Sequence, residues 1–259
     1  MGSKLISFVI CALLSLCDSA YVDTINKCSF KDDKCFANTI QTVLTNGGPT
    51  GIKELNIRPY DPLDLSGLLI SVFGLVNVSV EEGTATGVKD CEIKHIHNDF
   101  NARSTKLDLI CDLTIKAKFK LTDMTPVVQK LFGANDISGN GNIIMKIDKI
   151  HMKIKFFYDI IKKDDGEIYF VLHKDDLIAN FDVGNLKLTA NKIFFGKQDF
   201  SEFVETLFNE NWKAMMSSFG NSMFEVSMTI LMDLLEKFFD NVPAKYLYIE
   251  DLTPYLSNV

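Results

Sequence analysis

A nearly perfect alternation of apolar and polar residues, KLDLICDLTIKAKFKL at 106–121, constrains the fold more than any other feature of this chain. Alternation with period two is typical of a β-strand, because successive side chains point to opposite faces of a sheet. One face carries apolar side chains and Cys111, and the other carries mostly lysine, aspartate and threonine. At about 3.3 Å per residue this strand would reach roughly 50 Å, whereas strands usually have about 5–6 residues. The stretch therefore predicts a large sheet with one dry and one wet face.

In the last third of the chain, the spacing of the apolar residues changes from every second position to every third or fourth. Between 199 and 240 the apolar residues recur every three or four positions, which predicts a long amphipathic helix that is interrupted near 209–211 and ends before Pro243. A helix of about 30 residues spans roughly 45 Å, which matches the long strands. The economical arrangement is an α+β fold in which a strongly curved antiparallel β-sheet wraps one long C-terminal helix, with the dry face inward.

Shorter patterns complete the secondary structure. A helix is predicted over 32–46, ending at Gly47, and is followed by a Pro- and Gly-rich connector over 48–67. The Asp-Gly pair in KKDDGEI, residues 162–168, predicts a hairpin turn. The alternating stretch at 106–121 predicts a strand over 105–121. Further strands are predicted at 74–86, 88–97, 142–161, 167–174, 177–183 and 186–194.

The N-terminus predicts a secreted protein. Residues 1–19 are interpreted as a cleaved signal peptide, with the boundary at 19 or 20, because Lys4 precedes a short apolar run that ends in small residues. Residues 20–259 then fit a single domain, and no later apolar run is long enough and uncharged enough to span a membrane. A net charge of −7, with lysines interspersed among acids, argues against nucleic acid or an anionic membrane surface as a partner.

The cysteines support an oxidising compartment. Four of the six lie outside residues 1–19, namely Cys28, Cys35, Cys91 and Cys111, and an even number predicts two disulfides. Cys28 and Cys35 are close in sequence and are predicted to pair, which leaves Cys91 for Cys111.

A hairpin register supports the second pairing independently. If NDFNARS at 98–104 is a turn, Cys91 lies opposite Cys111, Ile93 lies opposite Leu109, and position 95 lies opposite position 107. Directly opposed Cβ atoms are close enough for a disulfide after a small adjustment of sheet twist. The alternative is a buried pair of free thiols.

The sequence lacks the common motifs for catalysis. The sequence contains no Gly-x-Ser-x-Gly turn, no His-Glu-x-x-His helix and no phosphate-binding glycine loop. His95 and His97, with Asp99 beyond them, could share a metal, but such residues are more often polar surface groups. We therefore expect no enzyme activity, no metal and no cofactor. The sequon NVS at 77–79 predicts glycosylation of Asn77, since the chain is interpreted as secreted.

Several segments together resemble the takeout and haemolymph juvenile hormone binding protein family, and the resemblance covers essentially the whole chain after the signal peptide. The early cysteine pair with PYDPL at 59–63 is its most specific part. The segments, in chain order, are CSFKDDKC (28–35), GIKELNIRPYDPLDL (51–65), GNGN (139–142), LFNENW (207–212) and NVPAKYLY (241–248). The resemblance implies an elongated super-roll, with a long helix wrapped by curved antiparallel sheet around a tunnel for a lipid-like ligand.

The leading functional hypothesis is therefore a secreted carrier, in haemolymph or another extracellular fluid, for a small hydrophobic ligand such as a terpenoid, a fatty acid or a juvenile-hormone-like molecule. An unidentified protein receptor is a further candidate partner. The alternative is a ligand-free interaction or structural protein on the same fold, and a secreted hydrolase is the third hypothesis.

Six residues are predicted to line the ligand cavity because they lie on the dry faces of the two longest elements. They are Met152, Ile154 and Phe156 on a strand and Phe219, Met223 and Ile230 on the helix. Methionine suits an adaptable pocket because its side chain is flexible. Close packing of the same residues into an ordinary core is the alternative, and the 20 phenylalanines fit either interpretation.

Overall fold

The computed structural model describes residues 21–257 except 73, 75, 127–129, 131–138 and 196–197, and it does not describe the side chains at 72, 124, 195, 218, 219, 221 and 222. The predicted signal peptide, residues 1–19, therefore lies outside the described residues.

The described chain forms one strongly curved antiparallel sheet of eight strands, a half-barrel, together with two α-helices. The helices are α1 (Asp33–Thr50) and α2 (Ser201–Asn241). The strands are β1 (Leu63–Asp64), β2 (Leu69–Val72), β3 (Val76–Thr86), β4 (Glu92–Asp99), β5 (Ser104–Met124), β6 (Gly139–Lys162), β7 (Ile168–Phe195) and β8 (Gln198–Asp199).

The sheet order is β1-β3-β5-β6-β7-β8, with β2 added beside β3 and β4 added beside β5. Its centre consists of β5, β6 and β7, which have 21, 24 and 28 residues. The 41 residues of α2 span roughly 60 Å at about 1.5 Å per residue. This arrangement confirms the predicted fold of a long C-terminal helix wrapped by a curved antiparallel sheet.

As predicted, the alternation in residues 106–121 places the apolar side chains of β5 on one face of the sheet and the polar side chains on the other. Leu107, Leu109 and Cys111 are buried, whereas Lys116 and Lys118 are exposed. Rows of inward side chains continue across the sheet. Leu109 pairs with Met152 of β6, which in turn pairs with Phe181 of β7. One continuous apolar surface therefore faces α2.

The LFNENW segment fixes α2 against β7. Asn209 accepts a hydrogen bond from the Leu188 backbone N–H and donates one to the Leu188 carbonyl, both at 2.8 Å, and Glu205 accepts from the Ala190 N–H at 2.9 Å. These side chains satisfy backbone groups that would otherwise be unpaired at the edge of the sheet. The helix is kinked at Asn211 (φ −122°, ψ 17°), within the predicted interruption at 209–211.

The three strands predicted at 167–174, 177–183 and 186–194 are one strand, β7, so that prediction was wrong. Lys155 pairs with Ile178, but Phe157 pairs with His173, so β7 carries a large bulge where the sequence reads HKDDL. The acidic run indicated a turn, and the sheet accommodates it by letting the extra residues bulge from a continuous strand. The short strands β1, β2 and β8 were also not predicted.

The predicted register between β4 and β5 was correct at one pair of residues and wrong at the next. Ile93 lies opposite Leu109 as expected, but a bulge follows, so Ile96 rather than position 95 faces Leu107. The bulge is needed because it returns Ile96 to the buried face.

Both predicted disulfides form. Cys28 pairs with Cys35 at a Cα–Cα distance of 5.7 Å, and Cys91 pairs with Cys111 at 4.3 Å. The alternative of free thiols at Cys91 and Cys111 is therefore wrong.

The predicted end of α1 at Gly47 was also wrong, since the helix continues to Thr50. Gly47 and Gly48 permit close packing rather than helix termination. A Cβ atom at Gly47 would lie 2.6 Å from the Tyr60 hydroxyl, and one at Gly48 would lie 2.6 Å from the Lys89 Cβ. The helix ends instead at Gly51, whose φ of 68° suits glycine.

We expect Gly48→Ala to lower the free energy of unfolding by about 1–2 kcal/mol, because the clash with Lys89 outweighs the gain in helix propensity. Urea denaturation measures this. The matched control is Asn46→Ala, an exposed position in the same turn, which should change stability by less than about 0.5 kcal/mol. Equal effects at both positions would contradict the packing role of Gly48.

Candidate functional site

The apolar space between α2 and the sheet divides into two regions of different packing. The first, the aromatic end, is a cluster of rings contributed by α1, β6, β7, α2, the turn between β4 and β5, and the segments at both termini of the described chain. Its members are Phe30, Phe36, Phe100, Tyr158, Phe170, Phe238, Phe239, Tyr248 and Tyr255.

Phe170 is the centre of the aromatic end. Its ring lies 5.1 Å from Tyr158, 5.7 Å from Phe239, 6.0 Å from Tyr248 and 6.4 Å from Phe100, measured between centroids. Most of these contacts are edge-to-face, the geometry that aromatic quadrupoles favour. All five side chains are buried. This end is a closely packed core.

The second, the methionine-rich region, lies beside the first half of α2. It has a buried sheet surface formed by Met145, Ile147, Leu186 and Leu188, with Phe208 from the helix. The helix side chains that pack onto this surface are only half-buried, namely Val204, Trp212, Met215, Met216 and Met223. These side chains contact the buried surface of the sheet and remain partly accessible to solvent.

The six predicted lining residues fall into adjoining regions. Met152, Ile154 and Phe156 are buried on β6 and belong to the cluster that includes the aromatic end. Met223 belongs to the methionine-rich region, and Ile230 is half-buried on α2. The two clusters share Leu113 and Ile150, so the apolar surface is continuous between them. The side chain of the sixth, Phe219, lies outside the described residues.

A stacked ring pair at the junction was not among the predicted lining residues. Phe181 of β7 and Phe224 of α2 stack with centroids 4.4 Å apart and planes 22° apart. A Cβ atom at the buried Gly220 would lie 3.3 Å from the Phe181 ring, so the missing side chain there lets α2 approach the sheet. Phe224 does fall in the apolar stripe of the helix, but its partner on β7 depends on the register of α2 against the sheet.

An outward-facing cleft of about 580 Å³ lies beside the bulge of β7. Its lining includes Arg103, Asp159, His173, Asp176 and Ile178, and none of the six predicted residues. It also borders the aromatic end, because Tyr158 contributes to its lining.

A serine, an aspartate and a histidine meet at this cleft. The Ser257 hydroxyl donates to Asp159 Oδ1 at 2.7 Å, and His173 Nε2 lies 2.9 Å from Asp159 Oδ2. The carboxylate thus lies between the other two groups. Nucleophilic catalysis requires the histidine to bond the serine directly, so this arrangement does not activate Ser257. It holds the C-terminal segment, since the Ser257 N–H also donates to the Ile160 carbonyl.

The carboxylates that hold the C-terminal segment predict acid sensitivity. Hydrogen bonds from Ser257 and then His173 lower the pKa of Asp159, and a hydrogen bond from Ser29 lowers the pKa of Glu250. Each ionised group stabilises the fold above its unfolded pKa, about 3.9 and 4.3, and this contribution is lost as pH falls through the lower folded value. We expect the exchange protection of the Ser257 amide to fall between about pH 5 and pH 2.

Hydrogen-exchange mass spectrometry, corrected for the intrinsic pH dependence of exchange, measures this loss. Asp159→Asn should already show weak protection at neutral pH and a smaller further change in acid. An unchanged acid response in Asp159→Asn would contradict the role of this carboxylate.

The histidines considered for a metal have other partners. His95 and His97 stack with centroids 6.4 Å apart, and His97 Nδ1 lies 2.8 Å from Asp33 Oδ2 of α1. Among the described residues, no group of three or more His, Cys, Asp or Glu side chains is arranged to hold a metal ion. Among the residues that the structure describes, no helix is both long enough and apolar enough to cross a membrane.

Comparison with known proteins identifies relatives of this architecture. The family model for haemolymph juvenile hormone binding protein matches residues 6–249. The crystal structure of Takeout 1 from Epiphyas postvittana matches with a TM-score of 0.72 and 21% identity, covering 86% of this chain and 99% of that chain. A lipopolysaccharide binding protein matches at a TM-score of 0.38 and 10% identity, over 78% of this chain and 36% of that chain, which is too remote to inform the fold. A search of curated protein sequences found no match.

Proposed function

Because this chain belongs to the haemolymph juvenile hormone binding protein family, whose fold is that of a hydrophobic-ligand carrier, we propose that it is a secreted carrier. The ligand is a small apolar molecule, such as a terpenoid or a fatty-acid derivative. It binds between α2 and the inner face of the sheet and undergoes no chemical change.

The observation that carries this proposal is the half-buried state of the methionine-rich region. Trp212, Met215, Met216 and Met223 face the sheet, contact its apolar surface and remain partly exposed. An apolar ligand placed there would lose its own hydration and complete the burial of these side chains. Each Å² of apolar surface removed from water contributes about 25 cal/mol. Flexible methionines adapt to ligands of different shape.

We propose that the ligand extends from this region along the inner face of β6. Met223 and Ile230 would contact it from the helix, together with Phe219, and Met152, Ile154 and Phe156 would form the opposite wall. The stacked rings of Phe181 and Phe224 join β7 to the helix beside Met152 and Met223, and they would change position as a ligand enters.

Secretion is supported by the predicted signal peptide at 1–19 and by the two disulfides, which persist in oxidising compartments. The destination would be haemolymph or another extracellular fluid. Asn77 is exposed on β3, so its sequon is accessible to glycosylation.

Native mass spectrometry of protein purified from a secreting host tests the proposal. We expect a bound lipid mass that disappears under denaturing conditions, whereas a glycan at Asn77 would remain. The Asn77→Gln variant provides a glycan-free control in which the lipid mass should persist. Absence of co-purified lipid, together with no binding of apolar probes of any tested length, would refute the carrier function.

A further inference from the structure

We propose that the outer face of the sheet binds an extended anionic polysaccharide, such as a sulfated glycosaminoglycan, through two separate clusters of lysines. The first cluster consists of Lys116, Lys146 and Lys187, and the second consists of Lys106, Lys153 and Lys155. This surface lies on the side of the sheet that faces away from α2. The inference goes beyond the carrier function, because it concerns where the protein is retained outside the cell rather than what it carries.

The first cluster lies behind the methionine-rich region. Lys146 of β6 is directly opposite Lys187 of β7, and its neighbour on the other side is Thr114 of β5. Lys116 is two residues from Thr114, so it points to the same face and lies diagonal to Lys146. All three lysines are exposed. Three positive charges therefore lie close together on adjacent strands.

The second cluster lies further along β6, since Lys146 and Lys155 are roughly 30 Å apart at about 3.3 Å per residue. Lys155 is directly opposite Lys106 of β5, and Lys153 precedes it on the same face. Lys106 and Lys153 are exposed. Lys155 is half-buried, with its Nζ 4.6 Å from the centroid of the Phe157 ring, a contact that leaves its charge in place.

The lysines of both clusters have no ion pair within the part of the chain that the structure describes. Aspartates on the same face are hydrogen-bonded to other groups. Asp108 bonds His151, and Asp148 accepts from Asn185 Nδ2 at 3.0 Å. Asp112 accepts from a backbone N–H at 2.7 Å. The fold thus leaves lysine charges available to a partner, although lysines and acids are interspersed along the sequence.

The directly opposed lysines are a cost that the fold itself does not require. Like charges opposite each other in an antiparallel sheet are destabilising, and two such pairs occur, Lys106 with Lys155 and Lys146 with Lys187. Lysines often protect edge strands from pairing with other chains. However, β5 and β6 are paired on both sides, so edge protection does not explain their lysines. An anion bound between opposed lysines would offset the repulsion.

The shape of this face favours a polymer over a membrane. The sheet curves strongly around α2, so its outer face is convex and a planar bilayer can contact only part of it. An extended chain can follow the curvature and reach both clusters, and two linked contacts bind more tightly than either alone. Thr189 and Asn191 alternate with Lys187 along β7 and are exposed. Their hydroxyl and amide groups can donate to sulfate and to sugar oxygens.

Fluorescence anisotropy with a labelled heparin chain at neutral pH tests the surface. We expect the wild type to bind despite its net charge of −7. If about three charges are neutralised, the affinity should fall about tenfold for each threefold rise in salt, by analogy with other linear polyanions. A heparin disaccharide is too short to reach both clusters, so it should bind at least about a hundredfold more weakly than the long chain.

The variants Lys146→Gln/Lys187→Gln and Lys106→Gln/Lys155→Gln each remove one opposed pair. Each should weaken heparin binding by on the order of tenfold, because the remaining cluster binds alone. The melting temperature should stay equal or rise, because a repulsive pair is lost. Lys146→Arg/Lys187→Arg keeps the charge and should keep the binding.

The matched control is Lys34→Gln/Lys53→Gln. It changes the net charge by the same amount at two exposed positions outside the sheet, so it should keep the affinity of the wild type. An equal loss in this control would mean that overall charge, and not the two clusters, determines binding, and the proposed surface would be wrong.

Two further results would overturn the proposal. The first is failure of the wild type to bind heparin at about 0.1 M salt, where charges are still felt over about 10 Å. The second is tighter binding to vesicles that contain phosphatidylserine than to heparin, which would assign the lysines to a membrane. Neither result depends on a ligand in the apolar layer, so the carrier function is tested separately.

Discussion

Replacing Phe170 by alanine should lower the free energy of unfolding by about 3–5 kcal/mol, the cost typical of a deleted core aromatic side chain. The ring is 5% exposed and contacts Phe100, Tyr158, Phe239 and Tyr248. These neighbours come from separate elements, so they cannot all collapse into the space that the ring leaves. Urea denaturation, with the slope checked for two-state behaviour, measures the effect.

The informative comparison is Met223→Ala in the methionine-rich region. Because Met223 is only half-buried, its truncation should cost about 2 kcal/mol or less, at or below the lower end of the range for buried methionines. Affinity for an apolar probe should change at the same time. If Met223→Ala costs as much as Phe170→Ala, and no probe binds the wild type, the region is an ordinary filled core. The alternative of a ligand-free protein would then be favoured.

The sequence contained enough information for the overall fold because its two strongest patterns are periodic and long. Alternation in β5 assigns a face to each side chain, and the three- and four-residue spacing in α2 assigns the helix stripe. A curved sheet wrapped around the helix buries both apolar surfaces at the observed lengths. The disulfide between Cys91 and Cys111 could be predicted because pairing Cys28 with Cys35 leaves these two cysteines, and the register at Ile93 and Leu109 agrees with that pairing.

Local irregularities could not be predicted, because they depend on neighbours distant in sequence. The bulge that makes β7 one strand is tolerated because β6 continues to pair on both sides of it. The extension of α1 through Gly47 and Gly48 depends on Tyr60 and Lys89 lying against those glycines. A glycine pair at a helix end looks like a stop signal unless such contacts are known.

The sequence predicted which side chains of the candidate site point inward, but it did not predict the distance between the helix and the sheet. Periodicity indicates that Met152 and Met223 point inward, and both do lie in the apolar layer. Whether facing side chains meet or leave room depends on the separation of α2 from the sheet. That separation is set by particular contacts, such as the hydrogen bonds of Asn209 to Leu188 and the close approach at Gly220. No periodic pattern encodes these contacts.

Removing the disulfide between Cys91 and Cys111 by the double substitution Cys91→Ala/Cys111→Ala should destabilise the fold by about 3 kcal/mol in the chain-entropy model. The bond closes 20 residues and joins the start of β4 to the centre of the sheet. That start is also held by its pairing with β5 and by Gln41 of α1, which donates to the Cys91 carbonyl and accepts from the Ile93 N–H, both at 2.9 Å. Urea denaturation gives the global loss, and hydrogen exchange of β4 gives the local one.

The other disulfide supplies the matched control. Cys28 and Cys35 are separated by only seven residues, so Cys28→Ala/Cys35→Ala should cost about 1 kcal/mol less than the first pair by the same loop-length estimate. Its effect on exchange should appear at the start of α1 and leave β4 protected. If the two double variants lose equal stability, loop closure is not the main contribution of the Cys91–Cys111 bond. If β4 keeps its exchange protection without that bond, the pairing with β5 and the hydrogen bonds of Gln41 are sufficient to hold the strand, and the proposed stapling role is wrong.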